Sequence, residues 1–222
     1  RSSSVTGVQT CALPISGALL ENYPDRFWDV AICEQHAVTS MAALAKEGFR
    51  PVVAIYSTFL QRAYDQIVHD VALQKLPVAF AIDRGGIVGE DGETHQGAFD
   101  ISYLRSIPNI EIFAPRDSAT LEMALEYAVS TESPSAFRYP RGAFLEDGCY
   151  TPSPFETSKA EILVNGQDDI LFIGYGNGVG RGSAVLKILA NDGIYPSLLD
   201  LRFIKPFDEV TLLNLTKTHK KW

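Results

Sequence analysis

The sequence predicts an α/β fold built on parallel sheets, and three observations predict it. Short runs rich in β-branched and aromatic residues alternate with amphipathic stretches of helical length, the pattern of strands joined by crossover helices. Several runs are apolar throughout, as in strands covered on both faces. The composition, 46% hydrophobic and 21% charged, is that of an ordinary globular chain rather than a disordered or fibrous one.

The elements follow in order. Residues 1–16 (RSSSVTGVQTCALPIS) carry neither a helical nor a strand period. They also lack the charged start and long apolar core of a secretion signal. They resemble translated sequencing-adapter sequence, and we set them aside as an artefactual leader. Residues 27–32 (FWDVAI) form a short apolar run, and residues 34–47 an alanine-rich helix stopped by Gly48. Residues 51–56 (PVVAIY) read as a buried strand. From 60 to 75, Leu60, Ala63, Tyr64, Ile67 and Val71 recur at helical spacing. Residues 76–82 are the next strand, and a loop over 83–97 holds Gly85, Gly86, Gly89, Gly92 and Gly97. A strand at 110–113, an N-cap at Asp117, a helix over 121–129 and a strand at 135–139 close the block.

Thr151, Pro152, Ser153 and Pro154 read as a linker. Beyond it come a strand at 170–173, a glycine turn, a helix over 181–190, a strand at 197–201 and an amphipathic helix over 208–218. The predicted organisation is a leader (1–16), a first domain (17–150), a linker (151–158) and a partial second α/β domain (159–222). No methionine precedes Met41, and the chain stops within an amphipathic run, so it reads as cut at both ends.

Charge is unevenly placed. Residues 17–150 hold 19 acidic and 10 basic side chains, a net of −9, whereas residues 151–222 hold 8 of each. That balance argues against a general nucleic-acid or anionic-membrane surface. No apolar run approaches the ~18 residues of a membrane helix. Only Cys33 and Cys149 lie outside the leader, which holds Cys11. Without a CxxC pair, neither a disulfide framework nor a zinc site is expected, and a cytoplasmic setting fits best.

In open parallel sheets, ligands collect at the carboxyl ends of the strands. That rule selects residues 33–36 (CEQH), 56–59 (YSTF), Asp83 with Arg84, and 139–142 (YPRG). The cluster Gly174, Gly176, Gly178 and Gly180 fails the GxGxxG spacing of a dinucleotide site, so it reads as a strand–helix turn and Asp200 loses its ribose role. Residues 89–92 (GEDG) read as a turn rather than a metal site. Asp91 and His95 share that glycine-rich segment, and the pair suits hydrogen bonding to a hydroxylated substrate or proton shuttling. His69 lies with Arg62, Asp65 and Gln66 on a polar helix face, which reads as solvated, or as lining a cleft or a subunit contact. His219 sits in a frayed terminus. Glu34 opens a helix directly after a strand, where a carboxylate is either dipole-stabilised or functional.

Residues 32–39 (ICEQHAVT), 56–66 (YSTFLQRAYDQ), 92–100 (GETHQGAFD), 102–105 (SYLR) and 138–142 (RYPRG) resemble the 1-deoxy-D-xylulose-5-phosphate synthase family. The resemblance runs from about Asn22 to His219. It implies a pyrimidine-binding domain of a thiamine diphosphate enzyme, followed by the start of a transketolase-type C-terminal domain. It further implies decarboxylative condensation of pyruvate with D-glyceraldehyde 3-phosphate, in isoprenoid and thiamine biosynthesis, by a homodimer.

The resemblance assigns roles residue by residue. Glu34 matches the carboxylate that bonds the pyrimidine N1′ and favours the imino tautomer. Phe59 matches the aromatic stacking on that ring, and Arg62 and Tyr56 match residues beside the ring and the reacting carbon. Arg84 and Arg141 match the binders of carboxylate and phosphate, and Asp91 and His95 match groups contacting substrate oxygens. The Mg2+ ligands, a Gly-Asp-Gly plus Asn motif, are expected in an N-terminal domain missing here, so the chain alone is expected to be inactive. Two departures stand out: Cys33 replaces a small residue and is expected to fit with some crowding of the strand end, and Gly86 replaces an alanine and is expected only to loosen its turn. The rival readings are a split transketolase C-terminal subunit or a 2-oxo acid dehydrogenase beta subunit, and, from another class, a non-catalytic α/β binding module.

Overall fold

Three buried segments form the centre of the first sheet. Strand β3 (Arg50–Tyr56), β4 (Ala79–Asp83) and β6 (Ser135–Arg138) are almost wholly buried, as expected where helices cover both faces. The structure, a computed structural model, describes residues 4–8 (backbone), 21–145 and 150–222. Cys11 and Cys149 fall outside them.

The chain forms two compact units, one of Arg1–Ile112 and Leu125–Arg141, the other of Phe113–Ala124 and Gly142–Trp222. In the first, strands lie in the order β5-β6-β4-β3-β1-β2, with β1 Ser4–Val8, β2 Phe27–Asp29 and β5 Glu111–Phe113. Register aligns the strand ends: Tyr56 lies opposite Asp83, and Ile82 opposite Arg138. The sequence reading set residues 1–16 outside the fold, and the backbone of Ser4–Val8 corrects this. It pairs in parallel with both β2 and β3. Backbone ladders need no side-chain period, so an inner strand of this length escapes a periodicity reading.

Helix α1 (Glu34–Lys46) ends at Gly48, whose φ of +89° suits a residue without a Cβ. Its Val38, Met41, Ala42 and Ala45 pack on Val53, Ile55, Phe80 and Ile82 in one core cluster. The helix predicted over 60–75 begins earlier and changes type. It starts as α2 (Ser57–Leu60), passes a 3₁₀ turn (Gln61–Ala63) and a single turn α3 (Tyr64–Gln66), and ends as a π segment (Ile67–Ala72). Leu60, Ala63, Ile67 and Val71 still face the core, because alternating tight and wide turns preserve the average period. A short helix α4 (Asp100–Arg105), unforeseen in the sequence, precedes β5. Helix α5 (Ser118–Ser130) follows, with the predicted cap: Asp117 Oδ1 accepts from the Thr120 amide at 2.8 Å.

The second unit carries a three-stranded sheet, order β7-β9-β8 (β7 Glu161–Val164, β8 Leu171–Gly174, β9 Ser197–Asp200). It also holds β10 (Phe203–Lys205) and helices α6 (Gly178–Ala190) and α7 (Glu209–Leu215). The pair β8–β9 is parallel as expected, but β7, which the sequence reading missed, runs antiparallel to β9. Buried charge knits this unit. Arg116 donates to Asp200 at 2.9 Å and to Glu161 at 2.6 Å, while Arg202 pairs with Glu161 and donates to the carbonyls of Ser153 and Pro154 at 3.0 Å. The linker is thus held by a guanidinium, and Asp200 is structural. His219 is another correction: it is buried and bonds Ser197 Oγ through Nε2 at 2.9 Å.

Candidate active site

The aligned ends of β3, β4 and β6 place the predicted groups within one region of the first unit. Tyr56 ends β3, and the chain turns at once into α2, so Tyr56 and Phe59 lie three residues apart on one turn. Their rings stack at 5.4 Å with planes 13° apart. His95 stands edge-on to both, at 6.2 Å from Tyr56 and 5.1 Å from Phe59. Its Nδ1 lies 3.0 Å from Thr94 Oγ1.

Arg84 follows the end of β4 in the left-handed region, φ +59°. Asp83 holds it there: Asp83 Oδ1 accepts from the Arg84 amide at 2.6 Å and Oδ2 from its guanidinium at 2.8 Å. The guanidinium lies 3.8 Å from the Tyr56 ring centroid, a cation–π contact. Burial pushes the Asp83 carboxyl above the usual range, outweighing the Arg84 bonds.

Asp91 accepts from the Nε of Arg84 and from the Nε of Arg141, each at 2.7 Å. One carboxylate therefore bridges two guanidiniums that the sequence places 57 residues apart. Desolvation raises the Asp91 carboxyl, but the two arginine bonds outweigh it and hold it below the usual carboxylate range. Glu90 lies 3.7 Å from Arg141 as a further acidic neighbour.

Glu34 heads α1 and is 2% exposed. Arg62 Nε, from the turn after α2, lies 3.6 Å from Glu34 Oε2. Cys33 is exposed, so the expected crowding of the strand end does not arise. Gly86 takes φ +101°, where a side chain is disfavoured, so glycine relieves the turn rather than loosening it. His69, on the π segment, is exposed and bonds Asp70 at 2.9 Å.

The sequence reading selects Asp83 and Tyr139 at strand ends and Gly97 in the loop but gives them no role, and the structure makes them supports of these groups. The Tyr139 carbonyl accepts from the Gly85 amide at 2.9 Å, and its phenol is buried, which pushes its pKa upward. Gly97 exchanges both backbone bonds with Gly86 at 2.8 Å, and a Cβ there would meet the Arg84 carbonyl oxygen at 1.9 Å. The clustering of glycines in 85–97 was the signal for Gly97, and the strand-end rule the signal for Asp83 and Tyr139.

A buried carboxylate near an arginine, with an aromatic side chain on the turn before that arginine, suits the edge and face of an aminopyrimidine; that donor set fits the pyrimidine half of thiamine diphosphate. Among the described residues, no group of three or more His, Cys, Asp or Glu side chains is placed to hold a metal. None of their helices is long and apolar enough to cross a membrane.

The profile of the transketolase pyrimidine-binding domain matches residues 9–145, and that of the transketolase C-terminal domain matches residues 158–222. The chain is 60% identical over 223 residues to the 1-deoxy-D-xylulose-5-phosphate synthase of Nitratiruptor sp., covering 99% of this chain and 36% of that protein. It is 62% identical over 221 residues to the synthase of the same name from Helicobacter hepaticus, covering 97% and 35%. It thus spans about a third of the length of these curated relatives. A solved structure described as a split gene transketolase, inactive beta4 tetramer, superposes with a TM-score of 0.83 at 25% identity, covering 96% of this chain and 70% of that one. A Pichia stipitis transketolase shares the fold at 21% identity, with a TM-score of 0.76, over 97% of this chain and 34% of that one. With both profiles in succession over nearly all its length, the chain belongs to the thiamine diphosphate-dependent transketolase family.

Proposed function

We propose that this chain supplies the pyrimidine-facing half of the active site in a 1-deoxy-D-xylulose-5-phosphate synthase. That enzyme condenses pyruvate with D-glyceraldehyde 3-phosphate and releases carbon dioxide. The observation that carries the reading is Glu34, a carboxylate 2% exposed at the head of α1. A carboxylate held at that position can bond a proton on a pyrimidine ring nitrogen. The 53–62% identity to relatives bearing this name supports the choice of substrates.

When bound, thiamine diphosphate supplies a nucleophilic carbon and an electron sink for decarboxylation. Glu34 would hold a proton at N1′ of the pyrimidine ring. Phe59 offers its ring face for stacking, with Tyr56 behind it, and Arg62 steadies the Glu34 carboxylate. Arg84 and Arg141 are the receptors for the pyruvate carboxylate and the aldehyde phosphate. Asp91 holds both guanidiniums in place before an anion arrives, and His95 contacts substrate oxygens. Mg2+ ligands are assigned to the part of the relatives that lies outside this chain, and the enzyme to a cytoplasmic homodimer.

The likeness to the split gene transketolase favours a second reading, in which the chain is one subunit of a two-gene enzyme. A chimera joining this chain to the remaining parts of the Nitratiruptor relative separates them. It should form 1-deoxy-D-xylulose 5-phosphate, whereas the 222 residues alone should form none. A chimera that uses ketose donors but not pyruvate overturns the synthase reading.

A further inference from the structure

We propose that Arg138 and Asp100 are positioning residues: together they clamp the neck of the loop over 84–97 and so set the placement of Arg84, Asp91 and His95. Their role in catalysis rests on the reading of that loop as the substrate-binding element.

Arg138 ends β6 and Asp100 opens α4. The Arg138 Nε donates to Asp100 Oδ2 at 2.6 Å and its Nη2 to Oδ1 at 3.3 Å, a two-pronged pair with the carboxylate 1% exposed. A Cβ on Gly85 would lie 2.9 Å from Arg138 Cζ, 2.9 Å from Nη2 and 3.0 Å from Nε. Three near-equal distances put Gly85 over the flat face of the guanidinium. Only a residue without a side chain packs there.

The loop therefore leaves and returns through one point. Its first turn rests on the Arg138 plane and bonds the Tyr139 carbonyl. Its neck closes through the paired amides of Gly86 and Gly97, and three residues later Asp100 meets the edge of the same guanidinium. Arg138 has its Nε and Nη2 turned to Asp100, so that carboxylate takes its edge. A buried ion pair adds little to stability over apolar packing of equal volume. Its geometry does something apolar packing cannot: the face fixes the loop's departure while the edge fixes its return.

The test is proton exchange by NMR in the 222-residue chain, native, Arg138→Lys and Gly85→Ala. Lysine keeps the charge for Asp100 but has no flat face, and the Gly85 methyl collides with that face while leaving Arg138 intact. Both should speed exchange of the Gly86 and Gly97 amides and of the Arg84 Nε–H about tenfold or more, with β3 and β4 amides unchanged. Unchanged exchange at those three protons overturns the proposal, as does equal acceleration in β3 and β4, which reports general loosening. Inorganic phosphate tests the underlying reading separately. If it fails to shift the Arg84 and Arg141 Nε signals of the native chain, the anion-site reading falls, while the exchange rates still decide the clamp.

Discussion

Arg62 Nε lies 3.6 Å from Glu34 Oε2, and the two side chains occupy opposite environments, the guanidinium 66% exposed and the carboxylate 2%. An exposed, screened cation steadies a buried anion only in part. In the chimera with the Nitratiruptor parts, Glu34→Gln should therefore lower kcat by about 10²-fold or more, the scale of a lost proton-handling group. Arg62→Ala should cost less. Steady-state rates at saturating cofactor decide it, and a Glu34→Gln kcat within threefold of the parent would sink the assignment.

Asp91 bridges two arginines, and its carboxyl is held below the usual range by them against the opposing push of desolvation. A depressed folded pKa contributes stability that is present above the unfolded value of 3.8 and lost as pH falls through the folded value. Exchange of the Arg84 and Arg141 Nε protons should stay slow from neutral pH down to that region and quicken only below it. In Asp91→Asn, fast exchange should already be seen at neutral pH. A transition near pH 6 would show that another group governs the bridge.

The His69–Asp70 pair gives the opposite sign. The Asp70 hydrogen bond, then its charge, raises the His69 pKa above 6.5, while Asp70, bonded by Thr39 and His69, is lowered. A raised histidine contributes stability that is full below 6.5 and lost as pH rises through the folded value. An NMR titration should place His69 above 6.5, and Asp70→Asn should bring it back down. No change between the two titrations refutes the pairing.

Gly97→Ala tests the neck by bulk. The added methyl would sit 1.9 Å from the Arg84 carbonyl oxygen, so backbone must move. The expected cost is about 1–3 kcal/mol, the range for overpacking, read as a lowered melting temperature. Gly86 and Gly97 amides should lose protection with it. A variant as stable as the parent, with both amides protected, contradicts the described contact.

In the second unit, Arg116→Met should cost about 3–5 kcal/mol, because Asp200 would be left buried without this partner. Burial pushes the Asp200 carboxyl above its usual range even with Arg116 present. Denaturant unfolding of the single variant and of Arg116→Met with Asp200→Leu separates the causes. The double variant should regain stability over the single one.

Much of the fold was legible because the cores of β3 and β4 are apolar runs and the inner face of α1 repeats apolar residues at helical spacing. What escaped was held by other forces. The strand at Ser4–Val8 is defined by backbone pairing with two neighbours, and β7 by antiparallel pairing whose residues are mostly half-buried. His219 looked frayed because its partner, Ser197, lies 22 residues away. At the site, strand ends pointed to Arg84 and Arg141 and the glycine-rich loop to Asp91, each separately. That one carboxylate joins both guanidiniums is a contact across 50 residues, which spacing does not encode. The glycines of the loop were visible, but the flat side chain that makes Gly85 necessary sits 53 residues further along.

The Gly86–Gly97 pairing has a consequence for how such a protein diversifies. With entry and exit pinned together, residues 87–96 form a cassette whose ends stay fixed whatever lies between them. Away from Asp91, which ties it to Arg84 and Arg141, the segment can be lengthened with only a slow rise in closure entropy. A new preference for an acceptor can then be grafted there without redrawing the sheet that carries it.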